Sequence, residues 1–421
     1  MVDNVTRTTL ANGLTVVLRE VHNAPVASSW LLYHIGSRNE PTGKTGISHW
    51  VEHMMFKGTQ AFPQGTLDKE IDRNGGQWNA FTSMDYTMYY ETLPADRIEL
   101  ALRAEADRMV NAQFDPDEVE RERTVIISER QDTENEPLFW LQEAVRATAF
   151  FVHGYGHEII GDMVDLHTMT RDDLYEHYRR HYTPSNATLV VVGDFDTQDM
   201  LALVEKHFAP IVSEEKPNLF VRPEPPQQGE RRVIVERPGE TAFLELSHRS
   251  PAATEDDWFA LQVLDSALSG PGSGISNKTS RLYQALVKSE IAVSVTGQLL
   301  ATIDPYLYSI IAVLRDGRTP QEAEAIIVQE IEKLCDEGIT EQELIRAKKQ
   351  ARAGFAYSTE SMTSQAYWLA RSYSLGDPDW FTRYTERLQQ VTLEDVREVA
   401  RRYLRPQSRT VGWLIPTGAE A

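Results

Sequence analysis

Two histidines and a glutamate stand in this sequence at a spacing that suits metal chemistry. His49, Glu52 and His53 form the pattern H-x-x-E-H, the reverse order of H-E-x-x-H. On a helix, imidazoles at i and i+4 lie one above the other, close enough to bind one metal ion. The carboxylate beside the second histidine could then accept a proton from a bound water. Because short motifs also occur by chance, a merely solvated polar helix face is the alternative.

The residues around the motif predict the helix that would position it. Apolar residues recur there at i, i+3, i+4, i+7 and i+8, which forms a single apolar stripe. The stripe consists of Ile47, Trp50, Val51, Met54 and Met55. The other face carries His49, Glu52, His53 and Phe56. Such a helix would bury its stripe and leave the motif available for chemistry.

A second helix is predicted further along the chain, and it carries two more carboxylates. Asp115 is a good N-cap, Pro116 fits the first helical position, and Glu118 completes a capping box. Beyond this start, the spacing i, i+3, i+4 and i+7 is occupied by Glu122, Val125, Ile126 and Glu129. The apolar pair predicts that this face is turned inward, together with both glutamates.

Two inward carboxylates need a positive partner, because an ionised group is costly to bury alone. A metal ion shared with the two motif histidines would supply that charge. The alternative is pairing with Arg121 or Arg123, but on a helix these arginines point to other sides. We therefore favour the metal.

Strands are predicted on either side of the first helix. Residues 14–18 and 26–34 have strand patterns, the first after an Asn-Gly turn. Two further short strands surround a turn at residues 83–85. Their dense aromatic residues, including Phe81, Tyr86 and Tyr90, are also compatible with simple core packing.

The chain repeats itself after a linker. Residues 210–229 are rich in proline and glutamate, which is typical of a linker. The segments that contain Pro184 and Pro406 are similar, lie 222 residues apart, and each lead from a helix into a strand. We therefore predict an α+β fold of two tandem similar domains, each a mostly antiparallel sheet covered by helices. Residues 1–212 form the domain with the histidine motif, 213–229 the linker, and 230–421 a homologous domain without the motif.

Composition excludes several classes of function. The 421 residues, 41% of them hydrophobic, suffice for two or three domains with a sizeable core. A net charge of −21 argues against nucleic acid as a partner. No apolar run approaches the ~18 residues of a membrane span, and no signal pattern opens the chain. We expect a cytoplasmic protein, or a periplasmic or organellar one if a targeting signal has been trimmed.

With the motif and the distant glutamate together, the sequence resembles the pitrilysin-type peptidases, the family with an inverted zinc motif. Within that family it is similar to the β subunit of mitochondrial processing peptidase and to small bacterial zinc peptidase subunits. The resemblance covers nearly the whole chain. It rests on Asn12-Gly13-Leu14, on the segment from Gly36 to Glu40, on the segment from His53 to Thr59, and on the spacing of 76 positions from His53 to Glu129.

The resemblance implies a zinc metalloendopeptidase, a hydrolase that binds one Zn²⁺ per chain. His49, His53 and Glu129 would be the zinc ligands, with a fourth position left for water. Glu52 would be the general base on the zinc-bound water and then the proton donor to the leaving amine. Glu122 would hold a ligand histidine in orientation.

The resemblance also implies where a peptide substrate binds. Asn79, Ala80 and Phe81 match the family's edge strand, to which a substrate adds as an extra strand. Pairing through the backbone would explain tolerance of many sequences and a preference for extended, short or unfolded peptides.

A partner chain is implied as well, because active family members enclose a chamber with four such domains. The family's C-terminal half normally carries an arginine and a tyrosine that reach the substrate. Val287 and Val293 occupy roughly those places, and the nearby Arg281 and Tyr283 belong to a segment that we interpret as structural. The favoured partner is a sister subunit that supplies the pair in a heterodimer, and an identical copy is the alternative.

Two other functions stay open within the same family. A non-catalytic structural member, like those in respiratory complexes, would typically lack the zinc residues, and all of them are present here. A dedicated processing peptidase for a precursor or targeting peptide would differ from a general peptidase only in its substrate.

Overall fold

The computed structural model describes residues 4–213, 215–270 and 278–418, and these form two compact units. Each unit is assembled from three segments of the chain. The units follow spatial packing, so they do not test the sequence boundaries predicted at residues 212 and 230. The first unit comprises Met1–Gln131, His157–Arg222 and Thr359–Thr382, and the second comprises Asp132–Gly156, Pro223–Ser358 and Arg383–Ala421.

Each unit is built on one β-sheet. Among the described residues, the strand order is β1-β2-β6-β3-β5-β4 in the first sheet and β7-β11-β8-β10-β9 in the second. The pairs β2–β6 and β7–β11 are parallel and the other pairs are antiparallel. The strands are β1 (Val5–Thr9), β2 (Thr15–Glu20), β3 (Val26–Tyr33), β4 (Gln77–Thr82), β5 (Thr87–Pro94), β6 (Ala187–Gly193), β7 (Arg231–Arg237), β8 (Phe243–Arg249), β9 (Ala292–Leu299), β10 (Leu307–Leu314) and β11 (Arg409–Pro416).

Helices cover both sheets, which confirms the predicted α+β class. In the described parts of the chain, none of them has the length and apolar character needed to cross a bilayer. They are α1 (Ile47–Met54), α2 (Thr66–Arg73), α3 (Glu99–Asn111), α4 (Pro116–Glu134), α5 (Pro137–Ala149), α6 (Met163–Thr168), α7 (Arg171–His181), α8 (Thr197–Phe208), α9 (Asp256–Leu268), α10 (Pro320–Glu337), α11 (Glu341–Tyr357), α12 (Met362–Ser374), α13 (Trp380–Gln390) and α14 (Leu393–Tyr403).

The predicted internal repeat is visible in the two sheets. The order β2-β6-β3-β5-β4 recurs as β7-β11-β8-β10-β9, with the parallel pair at the same position. Pro184 and Pro406 each begin a short 3₁₀ turn that leads into the second strand of that order, β6 or β11. The prediction of two tandem, similar, mostly antiparallel domains is therefore confirmed.

Each unit also contains a helix from the other half of the sequence. Helix α12 packs on β3 and β6 in the first unit, and α5 packs on β7 and β11 in the second. The absence of a side chain at Gly412 makes room for α5, since a Cβ there would lie 2.3 Å from Val145 and 2.8 Å from Leu141. Such exchanges depend on contacts between distant residues, and no local pattern in the sequence indicates them.

The helix that carries the histidine motif packs as predicted. Its stripe lies in the core of the first unit, and each of these side chains is at most 4% exposed: Ile47, Trp50, Val51, Met54 and Met55. Burying about five large apolar side chains contributes several kcal/mol. This packing fixes the rotation of α1 and hence the direction in which the motif faces.

Candidate metal centre

Helix α1 begins at a position that requires glycine. Gly46 has φ 86°, and a Cβ there would lie 2.4 Å from the carbonyl oxygen of Ile160. The buried carboxylate of Glu40 accepts hydrogen bonds from the amides of Gly46 and Ser48, both at 2.8 Å. A carboxylate suits the free amides and positive dipole end of a helix N-terminus. Burial nevertheless raises the pKa of Glu40 above its ordinary value.

Three of the predicted site residues meet at one point. The rings of His49 and His53 lie 4.6 Å apart between centroids. Glu129, from α4, approaches both of them: Oε1 lies 3.8 Å from His49 Nε2, and Oε2 lies 3.6 Å from His53 Nε2. One ligand atom from each residue lies within 4.8 Å of the other two. The structure thus brings together residues that are 76 positions apart in the chain.

This donor set fits a zinc ion. Nitrogen and oxygen ligands at about 2.0–2.2 Å in a tetrahedron are separated by about 3.3–3.6 Å, close to the distances found between Glu129 and the two histidines. Burial lowers the pKa of His49 to about 3, so this imidazole is neutral, as a metal ligand must be. Three protein ligands leave a fourth tetrahedral position open, which is typical of a catalytic zinc site.

Glu122 contacts His53 on the ring nitrogen that does not face Glu129. Its Oε1 lies 2.8 Å from His53 Nδ1, and Lys57 contacts its other carboxylate oxygen. Burial acts against the charge on Glu122, but the bonds from His53 and Lys57 outweigh it and leave the pKa below its ordinary value. A charged Glu122 favours a proton on Nδ1, so in the neutral ring the Nε2 lone pair of His53 faces Glu129. Burial lowers the pKa of His53, but the bond to Glu122 and the neighbouring carboxylates outweigh it and leave the pKa above its ordinary value. A zinc ion would therefore compete with a proton for Nε2.

Glu52 lies beside this point and is held by a strand. The residue is 7% exposed, and its Oε2 accepts a hydrogen bond of 2.8 Å from Thr82 Oγ1 at the end of β4. Burial raises the pKa of Glu52 above its ordinary value. A higher pKa makes the carboxylate a stronger base, which suits a group that accepts and later returns a proton. Thr82 was not among the predicted site residues, although the alternation along β4 places it on the same face as Ala80.

The start of α4 is confirmed, but its inward face is narrower than predicted. Asp115 accepts hydrogen bonds from the amides two and three residues later, at 2.9 and 3.2 Å. Glu122 and Ile126 are buried, whereas Val125 is 49% exposed and the Glu129 side chain is 46% exposed. The prediction that all four residues turn inward is therefore wrong for Val125 and Glu129. Since α4 turns 100° per residue, these two lie at the margin of the buried face.

The alternative partners for the α4 carboxylates are bound elsewhere. Arg121 pairs with Glu118, and Arg123 pairs with Glu120 at 2.9 Å and donates to backbone carbonyls. Both arginines are therefore engaged away from the two predicted site glutamates.

The predicted substrate strand, β4, lies at the edge of the first sheet, and within the described part of the chain it pairs with β5 alone. The amide of Ala80 donates to the side chain of its neighbour, Asn79 Oδ1, at 2.8 Å. The Phe81 ring packs 6.3 Å from both Trp30 and Tyr367. The side chain of Phe81 is thus part of an aromatic cluster, as the core-packing alternative expects, while the backbone of β4 lies at an open edge.

The second unit shows what occupies the places of the expected arginine and tyrosine. Val293, on the edge strand β9, is 60% exposed, and Val287 ends a π-helical turn. Nearby, Arg281 forms two hydrogen bonds of 2.8 Å with Glu343. This pairing agrees with our interpretation of the segment around Arg281 as structural.

The chain is similar to known proteins over nearly its whole length. The model of the insulinase family, peptidase family M16, matches residues 15–163, and the model described as the peptidase M16 inactive domain matches residues 168–351. The chain is 33% identical over 418 residues to the zinc protease PqqE of Helicobacter pylori, covering 97% of this chain and 92% of that protein. It is 27% identical over 404 residues to the mitochondrial-processing peptidase subunit beta of Lentinula edodes, covering 94% and 86%. A crystal structure of a protease from Helicobacter pylori superposes with a TM-score of 0.93 at 30% identity, covering 99% of this chain and 100% of that one.

Proposed function

Because this chain belongs to peptidase family M16, the insulinase family, we propose that it is the zinc-bearing subunit of a metalloendopeptidase. Its substrates would be short or unfolded peptides. The observation that carries the proposal is the meeting of His49, His53 and Glu129 at one point, with the buried carboxylate of Glu52 beside them. Relatives named as zinc proteases make zinc the favoured ion.

The chain's own residues divide the work of hydrolysis. When bound, a zinc ion would polarise the scissile carbonyl and lower the pKa of a water molecule. Glu52 would accept a proton from a water molecule as the water oxygen adds to the carbonyl carbon. The same carboxyl group would then give the proton to the nitrogen of the leaving amine as the C–N bond breaks. Glu122 would keep His53 in the tautomer and orientation that a ligand needs.

Peptides would bind along β4. An edge strand presents unpaired N–H and C=O groups, and an extended peptide can pair with them. Asn79, Ala80 and Phe81 would supply this backbone edge, with the Asn79 side chain leaving the Ala80 amide that it now occupies. Recognition through the backbone favours unfolded over folded substrates.

We further propose a heterodimer with a sister subunit that supplies an arginine and a tyrosine to the substrate. The valines at the matching places and the engagement of Arg281 with Glu343 support this choice. A pair of identical chains is the alternative. A processing peptidase is a second candidate function, favoured by the similarity to the mitochondrial-processing peptidase subunit beta, and it differs in substrate only.

Cleavage of a quenched fluorescent peptide by the zinc-loaded chain tests the proposal, with Glu52→Gln as the inactive variant and Glu120→Gln as a surface control. We expect Glu52→Gln to keep about one zinc per chain and to lose at least about 100-fold in kcat, while Glu120→Gln keeps both. Retained turnover in Glu52→Gln would contradict the mechanism. Activity of the chain alone would indicate identical partners, and zinc without activity would indicate a missing sister subunit.

A further inference from the structure

One hydrogen bond joins the residue that we propose as general base to the strand on which we propose that peptides bind. Thr82 Oγ1 donates to Glu52 Oε2 at 2.8 Å. We infer that Thr82 is a positioning residue, which fixes the Glu52 carboxylate for proton transfer and ties its orientation to β4. This inference rests on the proposed function, and it assigns to Thr82 an action through Glu52 rather than on the substrate.

The backbone of β4 determines where the Thr82 hydroxyl lies. Side chains alternate along a strand, so Trp78, Ala80 and Thr82 share one face. On that face Trp78 packs against Phe56, just after α1, with ring centroids 4.6 Å apart. Thr82 therefore projects toward α1 as well. Because threonine is β-branched, its χ1 angle is restricted, and the hydroxyl has few positions other than the one beside Glu52.

The loop before α1 fixes the two partners relative to each other. The amide of Arg38 donates to the carbonyl of Met84, in the turn that follows β4, at 2.9 Å. A Cβ at Gly36 would lie 2.5 Å from the carbonyl oxygens of both Ser83 and Met84, so only glycine allows this close approach. Glu40, at the end of the same loop, binds the N-terminus of α1. One loop thus sets both the end of the strand and the start of the helix.

A fixed donor matters because a carboxylate is otherwise free to turn. The last torsion of a glutamate side chain is broad, and its carboxylate has about four acceptor positions. The hydroxyl of Thr82 and, more weakly, its backbone amide both act on this carboxylate. The hydroxyl bond restricts the torsion and leaves other positions for a water proton. Misplacing a reacting group by about 1 Å costs on the order of 100-fold in rate. We therefore expect a loss of about 10- to 100-fold in kcat without this donor.

Three variants test the inference. Thr82→Val removes the hydroxyl and keeps the shape, Thr82→Ser keeps the hydroxyl, and Thr296→Val is the matched control on the exposed edge strand β9. With the fluorescent peptide, we expect Thr82→Val to lower kcat about 10- to 100-fold while KM changes less than about twofold. Bound zinc should be equal in all three variants. Thr82→Ser and Thr296→Val should retain kcat within about threefold of the unmodified chain.

Crystal structures of the two Thr82 variants provide a measurement that needs no activity. We expect the Glu52 carboxylate in one orientation in Thr82→Ser and in more than one in Thr82→Val. A single unchanged orientation in Thr82→Val overturns the inference. An equal loss of kcat in both variants also overturns it, since the serine variant keeps the hydroxyl and the loss would then follow from any change of shape at this position. If the unmodified chain binds zinc and cleaves no peptide, alone or with a sister subunit, the proposed function fails, and the crystal structures still decide the role of Thr82.

Discussion

The two sheets of this protein share a strand order but differ in the helix that follows the third strand of that order. In the first unit this helix is α1, which buries one stripe and leaves His49 and His53 partly exposed. In the second unit it is α9, in which ten of thirteen residues are buried. Six of the eight residues of α1 are buried as well, so the two helices differ in which residues stay accessible: the two motif histidines in α1, and Asp256, Asp257 and Gln262 in α9. The comparison shows that the scaffold is common to both units and that the proposed chemistry depends on which side chains occupy the few accessible positions of this helix.

The polar groups of the two helices differ in the same way. In α9, the buried carboxylate of Asp265 accepts hydrogen bonds from Tyr308, at 2.8 Å, and from Ser269. In α1, His53 is bound on Nδ1 by Glu122, while its Nε2 is directed toward Glu129. Asp265 is enclosed by neutral hydroxyl groups, whereas His53 presents a lone pair beside a carboxylate. Both arrangements satisfy buried polar atoms, but only the second prepares them for a cation.

Removing a proposed zinc ligand from α1 should have the largest effect, because it should leave the first unit, like the second, without a proposed metal site. We expect His53→Ala to weaken zinc binding by more than about 100-fold. This loss exceeds the one usually caused by replacing a residue that only orients a ligand. Peptide cleavage should be lost with it. Equilibrium dialysis followed by elemental analysis measures the bound zinc. His22→Ala, which removes an exposed histidine of the same unit, is the control and should bind zinc normally. Normal zinc in His53→Ala would exclude this site.

A smaller effect on zinc affinity is expected at Glu122, which contacts the proposed ligand His53. Glu122→Gln keeps the size of the side chain but removes the charge that orients His53 and pairs with Lys57. Changes at such positions typically cost 10- to 100-fold in metal affinity, and we expect a loss in that range. Competition with a chelator of known affinity measures it. Glu120→Gln, on the exposed side of α4, should match the unmodified chain. An equal affinity in Glu122→Gln would mean that Glu122 does not support the site.

Local patterns were sufficient to predict the parts of the site that lie within one element. The stripe of α1 from Ile47 to Met55, the cap at Asp115 and the edge strand around Ala80 depend on the spacing of near neighbours. The repeat around Pro184 and Pro406 could be predicted because two similar segments fold into the same turn and strand. Periodicity carries this information directly, since it determines which side chains share a face.

Features that depend on distant contacts were not predicted, or were predicted only partly correctly. Val125 was predicted to be buried, but the width of a buried helix face depends on the partner that covers it, and that partner is not encoded near Val125. Thr82 and Glu52 are 30 residues apart, and no spacing rule relates a strand end to a helix. The exchange of α5 and α12 between the units likewise requires contacts such as that between Gly412 and Val145.

Replacing Asp265, the buried carboxylate of α9, should affect stability and leave zinc binding at the proposed site unchanged. Burial raises the pKa of Asp265 from 3.8 to about 6, so the folded protein retains this proton when the unfolded chain has lost it. Its contribution to stability is therefore complete below pH 3.8 and is lost as the pH rises to about 6. The total is on the order of 3 kcal/mol. Asp265→Asn has no ionisable group here, so its stability should not show this loss. Between about pH 4 and pH 7 the unfolding free energy of the variant should therefore rise relative to that of the unmodified chain by on the order of 3 kcal/mol. Urea titrations over this range measure the shift, and zinc affinity at one pH should be equal in both proteins. A difference that stays constant with pH would mean that Asp265 ionises as it does in water. The contrast between an enclosed carboxylate in α9 and accessible histidines in α1 would then fail.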